Sequence, residues 1–497
     1  MTKTPSPLWQ PKAGDYVQVL REQNPWHQEG RESQVPETLA PPVRRSLAKN
    51  LWKRLKHNEP TRFQVVLGPR RVGKSTAMYQ TVQRLLDEGI EFARLVWLRM
   101  DHPLLMQFDL GTLLRIWLQT MPEATLQEPI YVFLDEVTYA KKWDVWLKTF
   151  FDERWPICVV GSSSATAALR QGRLESGAGR WDEQYLAPYL LHEFLELHGQ
   201  GVTLPIAETL SETLDASLEK VPTLTAVAAQ RRRYLLTGGF PELLLQQQPT
   251  DEASTLLHSQ LTLRNDAVER AIYKDIPQAF EVGNPMLLER VLYTLAGQFT
   301  GIVSPGKICK DLGLTQPTLD RYLSYLERAF LVFTLTNYSG REATRQMRGR
   351  KLYFVDGAVR NAALQRGLGP LSDQQEMGLL LENLVAGHLH ALSQQSQVRL
   401  HYWRDGNDEV DFVYDHPTMP LAFEIGSSMS HSRKGLQAFI KRFPRFQQRC
   451  YIVAPDAMTV RPSSRSDGIG MLPLDLLLLV LGMQAEKDLA QRLTPGP

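Results

Sequence analysis

The sequence is poor in cysteine, with three in 497 residues. Cys158, Cys309 and Cys450 are far apart and each lies in an apolar stretch, so no pair has the spacing of a metal-binding motif. So few cysteines in so long a chain do not form a disulfide framework. We therefore expect three buried free thiols and a reducing, cytoplasmic environment.

The sequence also has no apolar run that could span a bilayer. Residues 472–483 come closest near the C-terminus, but they are few and include Pro473 and Asp475. The N-terminus has no basic segment that leads into an apolar core, so we expect no signal peptide. Both observations predict a protein without a membrane partner.

An excess of charge of one sign is missing too, since the formal net charge is +2. Contacts with nucleic acid would therefore have to come from local basic patches rather than from a global field. The hydrophobic share of 43% and the charged share of 22% are typical of a globular chain. A chain of 497 residues is too long for one core, and we expect three or more domains.

A glycine-containing segment lies between an apolar run at residues 63–67 and a helical pattern at residues 77–86. It has the form G-x-x-x-x-G-K-[ST], which in a strand–loop–helix context indicates a phosphate-binding loop rather than an ordinary turn. In such a loop the lysine reaches the β- and γ-phosphates and the serine hydroxyl binds Mg²⁺. We predict an ATP site made by Gly68, Pro69, Arg70, Arg71, Val72, Gly73, Lys74, Ser75 and Thr76.

Polar residues end two further apolar runs, residues 130–134 and 157–160. Strands that alternate with helices predict an α/β fold with a parallel sheet, and ligands of such sheets bind at the carboxyl ends of the strands. We predict that Asp135 holds Mg²⁺ through water, that Glu136 is the general base for the attacking water, and that Ser162 senses the γ-phosphate or that water. The alternative is that all three are solvated strand ends.

Three arginines follow in a glycine-rich segment, at positions 170, 173 and 180. An arginine here could reach a γ-phosphate, either in cis or from a neighbouring subunit. We favour Arg180, although an exposed arginine on a loop is more often only solvated.

Together these motifs resemble the bacterial and archaeal ATP-binding family that joins an AAA-type ATPase domain to a C-terminal domain of unknown function. The resemblance implies a P-loop ATPase of the class with an additional strand and a catalytic glutamate. The resemblance covers nearly the whole chain, and it indicates the chemical reaction more clearly than the biological role. The matching pieces are Asn24-Pro-Trp26, Gly68-Pro-Arg-Arg-Val-Gly-Lys-Ser75, Phe133-Leu-Asp-Glu136, Gly161-Ser-Ser163, Gly179-Arg180, Leu186-Ala-Pro188 and Leu191-His-Glu-Phe194.

The middle of the chain shows two different patterns of predicted secondary structure. Residues 201–285 read as helices with short breaks, and the resemblance implies a helical lid on the nucleotide. Residues 286–345 show two short helices around Gly313 and then a strand, the pattern of a winged helix-turn-helix. If this domain reads DNA, Gln316, Thr318, Arg321 and Tyr322 lie at or near the groove, and a basic run at residues 341–351 favours a phosphate contact. The alternative is a module that packs on protein.

The C-terminal part places three acids in a recognisable order. Glu382 is on a predicted helix, and Asp411 and Glu424 are on successive predicted strands. This is the arrangement of restriction-endonuclease-like cores, in which carboxylates bind Mg²⁺ and a lysine two residues after the glutamate positions the water. Gly426 is at that position, and Lys434 on the next helix could substitute for the lysine, although lysines on a basic helix are usually solvated. We predict a metal site at the three acids, without appreciable DNA cleavage.

The sequence thus predicts six segments and one principal function. We expect a cytoplasmic Mg²⁺-dependent ATPase whose nucleotide state switches a DNA-binding C-terminal half. The alternatives are an ATP-latched regulatory switch that binds a protein partner or self-associates, and an ATP-gated DNase. The segments are an N-terminal arm (1–43), the ATPase domain (44–200), the helical lid (201–285), the winged helix (286–345), the nuclease-like domain (346–480) and a tail (481–497).

Overall fold

The structure, a computed structural model, describes residues 13–27, 34–56, 62–121, 128–164, 179–218, 224, 226–241, 252–280, 282–339, 349–428 and 430–494. The described residues form two compact units. The first contains the residues up to Leu67, then Lys74–Gln184, and the last residues from Leu493. The second contains Gly68–Gly73 and Tyr185–Arg492.

The first unit is built on a five-stranded sheet with the order β2-β3-β4-β1-β5, in which β2, β3, β4 and β1 run parallel. The four parallel strands are almost continuously apolar and buried, as expected for a sheet covered on both faces. The strands are β1 (Phe63–Leu67), β2 (Leu95–Arg99), β3 (Ile130–Asp135), β4 (Ile157–Ser163) and β5 (Trp181–Tyr185). The helices are α1 (Ala13–Gln23), α2 (Ser46–Lys56), α3 (Lys74–Asp87), α4 (Leu110–Thr120) and α5 (Trp143–Asp152).

One residue of the N-terminal segment, Asn24, is bound to the sheet of this unit. The Asn24 amide donates to the Trp97 carbonyl at 2.9 Å and accepts from the Trp97 N–H at 2.7 Å. Trp97 lies on β2, the edge strand, whose unpaired backbone groups need partners. The side chain of Asn24 therefore covers part of an exposed sheet edge.

The second unit is built on a seven-stranded mixed sheet with the order β12-β11-β10-β9-β8-β6-β7. β9 pairs antiparallel with both β8 and β10, while β11 runs parallel to β10 and β12. The strands are β6 (Val332–Asn337), β7 (Arg350–Phe354), β8 (Leu400–Asp405), β9 (Asp408–Tyr414), β10 (Leu421–Ile425), β11 (Cys450–Ala454) and β12 (Ile469–Pro473).

Helices make up most of the remaining second unit. One stretch is unusual, because Arg264–Glu269 and Ala271–Asp275 are π-helical and follow one another directly after α9. The α-helices are α6 (Leu191–Leu197), α7 (Leu210–Ser217), α8 (Val227–Thr237), α9 (Glu252–Leu263), α10 (Ile276–Ala279), α11 (Pro285–Ala296), α12 (Pro305–Leu312), α13 (Gln316–Arg328), α14 (Gly357–Ala363), α15 (Gln374–Ser396), α16 (Lys434–Arg442) and α17 (Leu474–Leu493).

The predicted winged helix does not form a domain of its own. The helix-turn-helix is present as α12 and α13, but the strand after it, β6, pairs with β8 of the large sheet as well as with β7. The boundary predicted at residues 345/346 therefore divides one sheet. The reason is burial, since most residues of β6 and β7 are buried, which a small free wing does not provide.

Two other predicted boundaries also differ from the structure. Residues 481–497 are not a tail as far as they are described, because α17 continues to Leu493 and buries Ala485, Leu489 and Leu493. The predicted lid helices belong to the second unit, where Thr213 of α7 bonds to Gln484 at 2.6 Å and α8 forms an ion pair with α17. An amphipathic pattern predicts that one face of a helix is buried, but it does not indicate which element packs against that face.

None of the helices in the described ranges is both long enough and apolar enough to cross a membrane.

Candidate functional site

The phosphate loop connects β1 to α3, and its backbone has the conformations that glycine allows. Gly73 has φ +87°, in the left-handed region that disfavours larger residues. A Cβ on Gly68 would lie 2.2 Å from the carbonyl oxygen of Leu186, so only glycine fits at that position. Lys74 begins α3 and is buried, with 6% of its surface exposed. A buried ammonium at a helix N-terminus is suited to bind phosphate.

Three side chains from three elements meet beside the start of α3. The Ser75 hydroxyl donates to the Asp135 carboxylate, 3.0 Å from Oδ1 and 2.9 Å from Oδ2. Ser162, fully buried at the end of β4, donates to Asp135 Oδ1 at 2.6 Å. The parallel register of β1, β4 and β3 brings these strand ends together at one edge of the sheet. The structure thus brings Ser75, Asp135 and Ser162 together, while their roles stay predictions.

Ser162 forms hydrogen bonds with both neighbouring acids. Its single O–H is donated to Asp135, and its oxygen accepts the backbone N–H of Glu136 at 2.9 Å. It therefore bridges the two acids and fixes their relative orientation. Its sensing of a γ-phosphate stays a prediction.

Glu136 lies in a strained conformation at the end of β3. Its φ of +52° is uncommon for a residue with a Cβ, and such strain persists where the surrounding structure enforces it. Its carboxylate Oε2 accepts from the Ser164 N–H at 3.2 Å and from the Ser164 hydroxyl at 3.1 Å. Ser164 was not assigned a role from the sequence, although it belongs to the same serine run as Ser162. It orients the proposed general base.

The electrostatics of this group suit a divalent cation. Burial, and next the charge of Glu136, raise the pKa of the Asp135 carboxyl, while hydrogen bonds from Ser162 and Ser75 and the charge of Lys74 lower it. The Ser75 hydroxyl and the Asp135 carboxylate face each other as hard oxygen donors of the kind that Mg²⁺ prefers. These two residues fit a Mg²⁺ ion, which when bound would neutralise phosphate charge.

Arg180 does not lie with these residues. Its backbone carbonyl accepts the N–H of Phe63, the first residue of β1, whereas the phosphate loop follows the last residue of that strand. Its guanidinium forms an ion pair with Asp152, at 2.8 Å and 3.0 Å. Arg180 is thus at the opposite sheet edge and does not reach the site of its own chain. A role towards a neighbouring subunit stays a prediction, and Arg170 and Arg173 lie outside the described residues.

The acids of the second unit surround a lysine that the sequence analysis did not assign to them. Lys351 Nζ lies 2.9 Å from Glu382 Oε1, 2.7 Å from Glu409 Oε1 and 2.9 Å from Asp411 Oδ1. An ammonium has three N–H donors, and here each has a carboxylate acceptor. The Lys351 side chain is 3% exposed. We call this group the Lys351 cluster.

The Lys351 cluster corrects the predicted metal site at Glu382, Asp411 and Glu424. In the described part of the chain, no group of three or more His, Cys, Asp or Glu side chains is placed to hold a metal ion. The cation beside Glu382 and Asp411 is the ammonium of Lys351, whereas Glu424 pairs with His431. Lys434, considered from the sequence, is 77% exposed and lies 3.5 Å from Asp408 instead.

The missing lysine at position 426 has a steric explanation. A Cβ on Gly426 would lie 2.6 Å from His431 Cβ, so a side chain there requires the segment before α16 to move. His431 Nε2 is 3.2 Å from Glu424 Oε1, and that hydrogen bond raises the pKa of His431. Burial, and next Asp411, raise the pKa of Glu424 to about 7. His431 thus takes the place beside Glu424.

Of the four residues predicted to lie at or near a DNA groove, two are exposed. Gln316 and Arg321 of α13 are exposed, Thr318 is half-buried, and Gly313 makes the turn with φ +66°. Tyr322 is 5% exposed and packs near Tyr325, so it is not available to a groove. Most of the basic run, residues 341–348, lies outside the described residues.

Three segments of the chain match known protein families. Residues 60–195 match an AAA domain, residues 228–369 match a domain of unknown function (DUF8612), and residues 377–477 match another domain of unknown function (DUF4143). The first match contains every residue of the phosphate loop and of the Asp135 group. The predicted AAA-type ATPase domain is therefore confirmed as a domain.

Similar proteins have been recorded in archaea and bacteria. An uncharacterized protein of Methanocaldococcus jannaschii is 24% identical over 71% of this chain and 72% of its own length. An uncharacterized protein of Haemophilus influenzae is 24% identical over 73% of this chain and 83% of its own length. Among solved structures, the Walker-type ATPase PABY2304 of Pyrococcus abyssi covers 64% of this chain and 95% of its own, with 14% identity and a TM-score of 0.40. The ADP form of the Aeropyrum pernix ORC2 protein covers 69% and 98%, with 13% identity and a TM-score of 0.33. The chain is thus similar, in this order, to an AAA domain and to two domains of unknown function.

Proposed function

We propose that this protein is a Mg²⁺-dependent ATPase of the cytoplasm. The observation that carries the proposal is the hydrogen-bonded group of Ser75, Asp135, Ser162 and Glu136, at the carboxyl ends of β3 and β4 and the start of α3, directly beside Lys74. With Lys74, this group supplies a phosphate-binding cation, two oxygen donors for a metal ion and a carboxylate for proton transfer. The match of residues 60–195 to an AAA domain supports it.

Each residue has a role that follows from its position. Lys74 binds the terminal phosphates, and the N–H groups of the loop bind their oxygens. Ser75 and Asp135 hold Mg²⁺, which supplies charge neutralisation when bound. Glu136 accepts the proton of the attacking water, and Ser164 and Ser162 keep its carboxylate and backbone in place. The main contribution of the protein to phosphoryl transfer is to hold the reacting groups in position before the reaction.

Substitution of Lys74 by alanine is expected to abolish ATP binding. The change removes the buried ammonium that faces the phosphates, and no other cation starts α3. Equilibrium titration with a fluorescent ATP analogue and Mg²⁺ measures this on the full chain. Lys53→Ala, in the last turn of α2, is the matched control and is expected to bind as the wild type does. Equal binding by Lys74→Ala and the wild type would contradict the assignment.

We further propose double-stranded DNA as the partner of the second unit. The specific observation is the helix-turn-helix, which exposes Gln316 and Arg321 on one helix after a glycine turn. Such a helix can enter a major groove, with polar side chains at base edges and phosphates. The competing function is a nucleotide-dependent switch that binds protein through the same helices.

Arg321→Ala is expected to weaken binding to duplex DNA and to reduce the salt dependence of binding by about one phosphate contact. Fluorescence anisotropy with labelled duplexes at several salt concentrations, with and without ATP, measures both effects. Lys441→Ala, an exposed lysine of α16, serves as the control. If no duplex binds even at low salt, the protein-binding switch becomes the better account.

A further inference from the structure

Two arginines of the phosphate loop are held by two aspartates of the π-helical segment. The Arg70 guanidinium forms a two-pronged hydrogen-bonded ion pair with Asp275, through Nε and Nη2 to the two carboxylate oxygens. Arg71 Nη2 lies 2.6 Å from Asp266 Oδ2. All four residues belong to the second unit, and the pairs join positions about 200 residues apart in the chain.

The Arg70–Asp275 pair is largely shielded from water. The Arg70 side chain is 17% exposed and that of Asp275 is 5% exposed. A two-pronged arginine–carboxylate pair fixes direction as well as distance, and in a shielded place it is weakly screened by salt. Removal of one partner from such a pair leaves a poorly solvated charge, so the pair behaves as one unit.

Two further features of the phosphate loop indicate that residues outside the loop hold its conformation. Arg71 has φ +66°, a conformation that costs energy for a residue with a Cβ and persists when contacts hold it. Gly68 approaches the Leu186 carbonyl so closely that no other residue fits. The loop conformation is therefore held by contacts from outside the loop at residues 68, 70 and 71.

The aspartates come from a backbone that is itself unusual. Asp266 and Asp275 lie in two successive π-helical stretches, a rare conformation that is often found at functional sites. Each π-turn rotates the following side chains relative to a regular α-helix. This rotation allows one short segment to present two carboxylates to neighbouring arginines of one loop.

We propose that Asp275, supported by Asp266, is a positioning residue for nucleotide binding, which keeps the phosphate loop in its phosphate-binding conformation by holding Arg70. This inference rests on the proposed ATPase function. It adds that the affinity for nucleotide depends on acids that lie outside the AAA domain match of residues 60–195. By reciprocity, bound nucleotide must then stabilise the segment from Arg264 to Asp275.

Asp275→Asn tests the proposal in the full chain. We expect a loss of nucleotide affinity on the order of tenfold, the usual size of coupling between linked sites. Arg70→Gln should cost about the same, and the double variant should cost no more than either single one. The control is Glu269→Gln in the same π-helical segment, because Glu269 pairs with Arg264 and not with the loop. It is expected to leave the affinity unchanged.

Two further measurements distinguish positioning from general stability. Nucleotide is expected to slow hydrogen exchange of the amides of residues 264–275 in the wild type, and to do so less in Asp275→Asn. A charge exchange, Arg70→Asp with Asp275→Arg, is expected to recover part of the affinity. A purely structural role would lower the unfolding temperature of Asp275→Asn without changing affinity, which would overturn the proposal.

The outcomes also separate this inference from the function it rests on. If the wild type binds nucleotide and Asp275→Asn binds equally well, the positioning role is wrong and the ATPase proposal stands. If Arg70→Gln loses affinity and Asp275→Asn does not, the arginine acts on the nucleotide directly and the proposal is also wrong. If the wild type binds no nucleotide, both fail.

Discussion

Glu136→Gln is expected to bind ATP as tightly as the wild type and to hydrolyse it about 10²–10⁴-fold more slowly, the usual cost of losing a general base. The glutamine amide keeps the size of the side chain and can still accept from Ser164, which holds the present carboxylate at 3.1 Å. It cannot take a proton from water. The substitution replaces one carboxylate oxygen by an amide nitrogen, and its effect on hydrolysis can therefore be measured apart from its effect on binding.

Phosphate release under single-turnover conditions measures the chemical step, and equilibrium titration measures binding. Glu153→Gln, at the C-terminal end of α5, is the matched control and should hydrolyse at the wild-type rate. Equal turnover by Glu136→Gln and the wild type would show that another group activates the water. Loss of binding in Glu136→Gln would show that the carboxylate shapes the nucleotide site instead.

Lys351→Met is expected to lower the free energy of unfolding of the second unit by about 3–5 kcal/mol at pH 8, because it breaks a buried ion-pair group. The methionine fills a similar volume, but Glu382, Glu409 and Asp411 lose the cation that each of them contacts within 3 Å. Urea unfolding followed by tryptophan fluorescence measures the change. Lys434→Met is the control, because Lys434 is 77% exposed, and it should stay within about 0.5 kcal/mol of the wild type.

The loss should be smaller at pH 5.5 than at pH 8. Burial, and next Asp411, raise the pKa of Glu382 to about 7 in the folded protein, against an ordinary value near 4.5. The folded state thus binds a proton between these values that the unfolded state does not, and this stability is lost as the pH rises through 7. Without Lys351 the pKa of Glu382 rises further, and protonation at low pH relieves the repulsion. A loss that is equal at both pH values would contradict this account.

The sequence predicts the ATPase core well, because its signals are local. The phosphate loop lies between an apolar strand and a helix, and Asp135, Glu136 and Ser162 end strands whose parallel order follows from the alternation of strands and helices. Since parallel strands end at one sheet edge, residues far apart in sequence meet there. In the strand order β3-β4-β1, β4 lies between the strand that leads into the phosphate loop and the strand that ends at Asp135.

The remaining features depend on contacts that no local pattern encodes. Lys351 lies in an ordinary strand pattern, and the strand order of the seven-stranded sheet brings its ammonium to Asp411. The free wing was predicted because β6 follows a helix-turn-helix, but its pairing with β8 comes from residues more than 60 positions later. Asp266 and Asp275 lie in a region whose sequence predicts only helices, since sequence periodicity does not distinguish π-helical from α-helical backbone.

Phosphate release from ATP by the purified full-length chain is the most direct test of the central claim. We predict steady release in the presence of Mg²⁺, loss of release when Mg²⁺ is chelated, and no release by Lys74→Ala prepared in the same way. Release that is equal in Lys74→Ala and the wild type, or an absence of both release and nucleotide binding in the wild type, would contradict the assignment of this protein as a Mg²⁺-dependent ATPase.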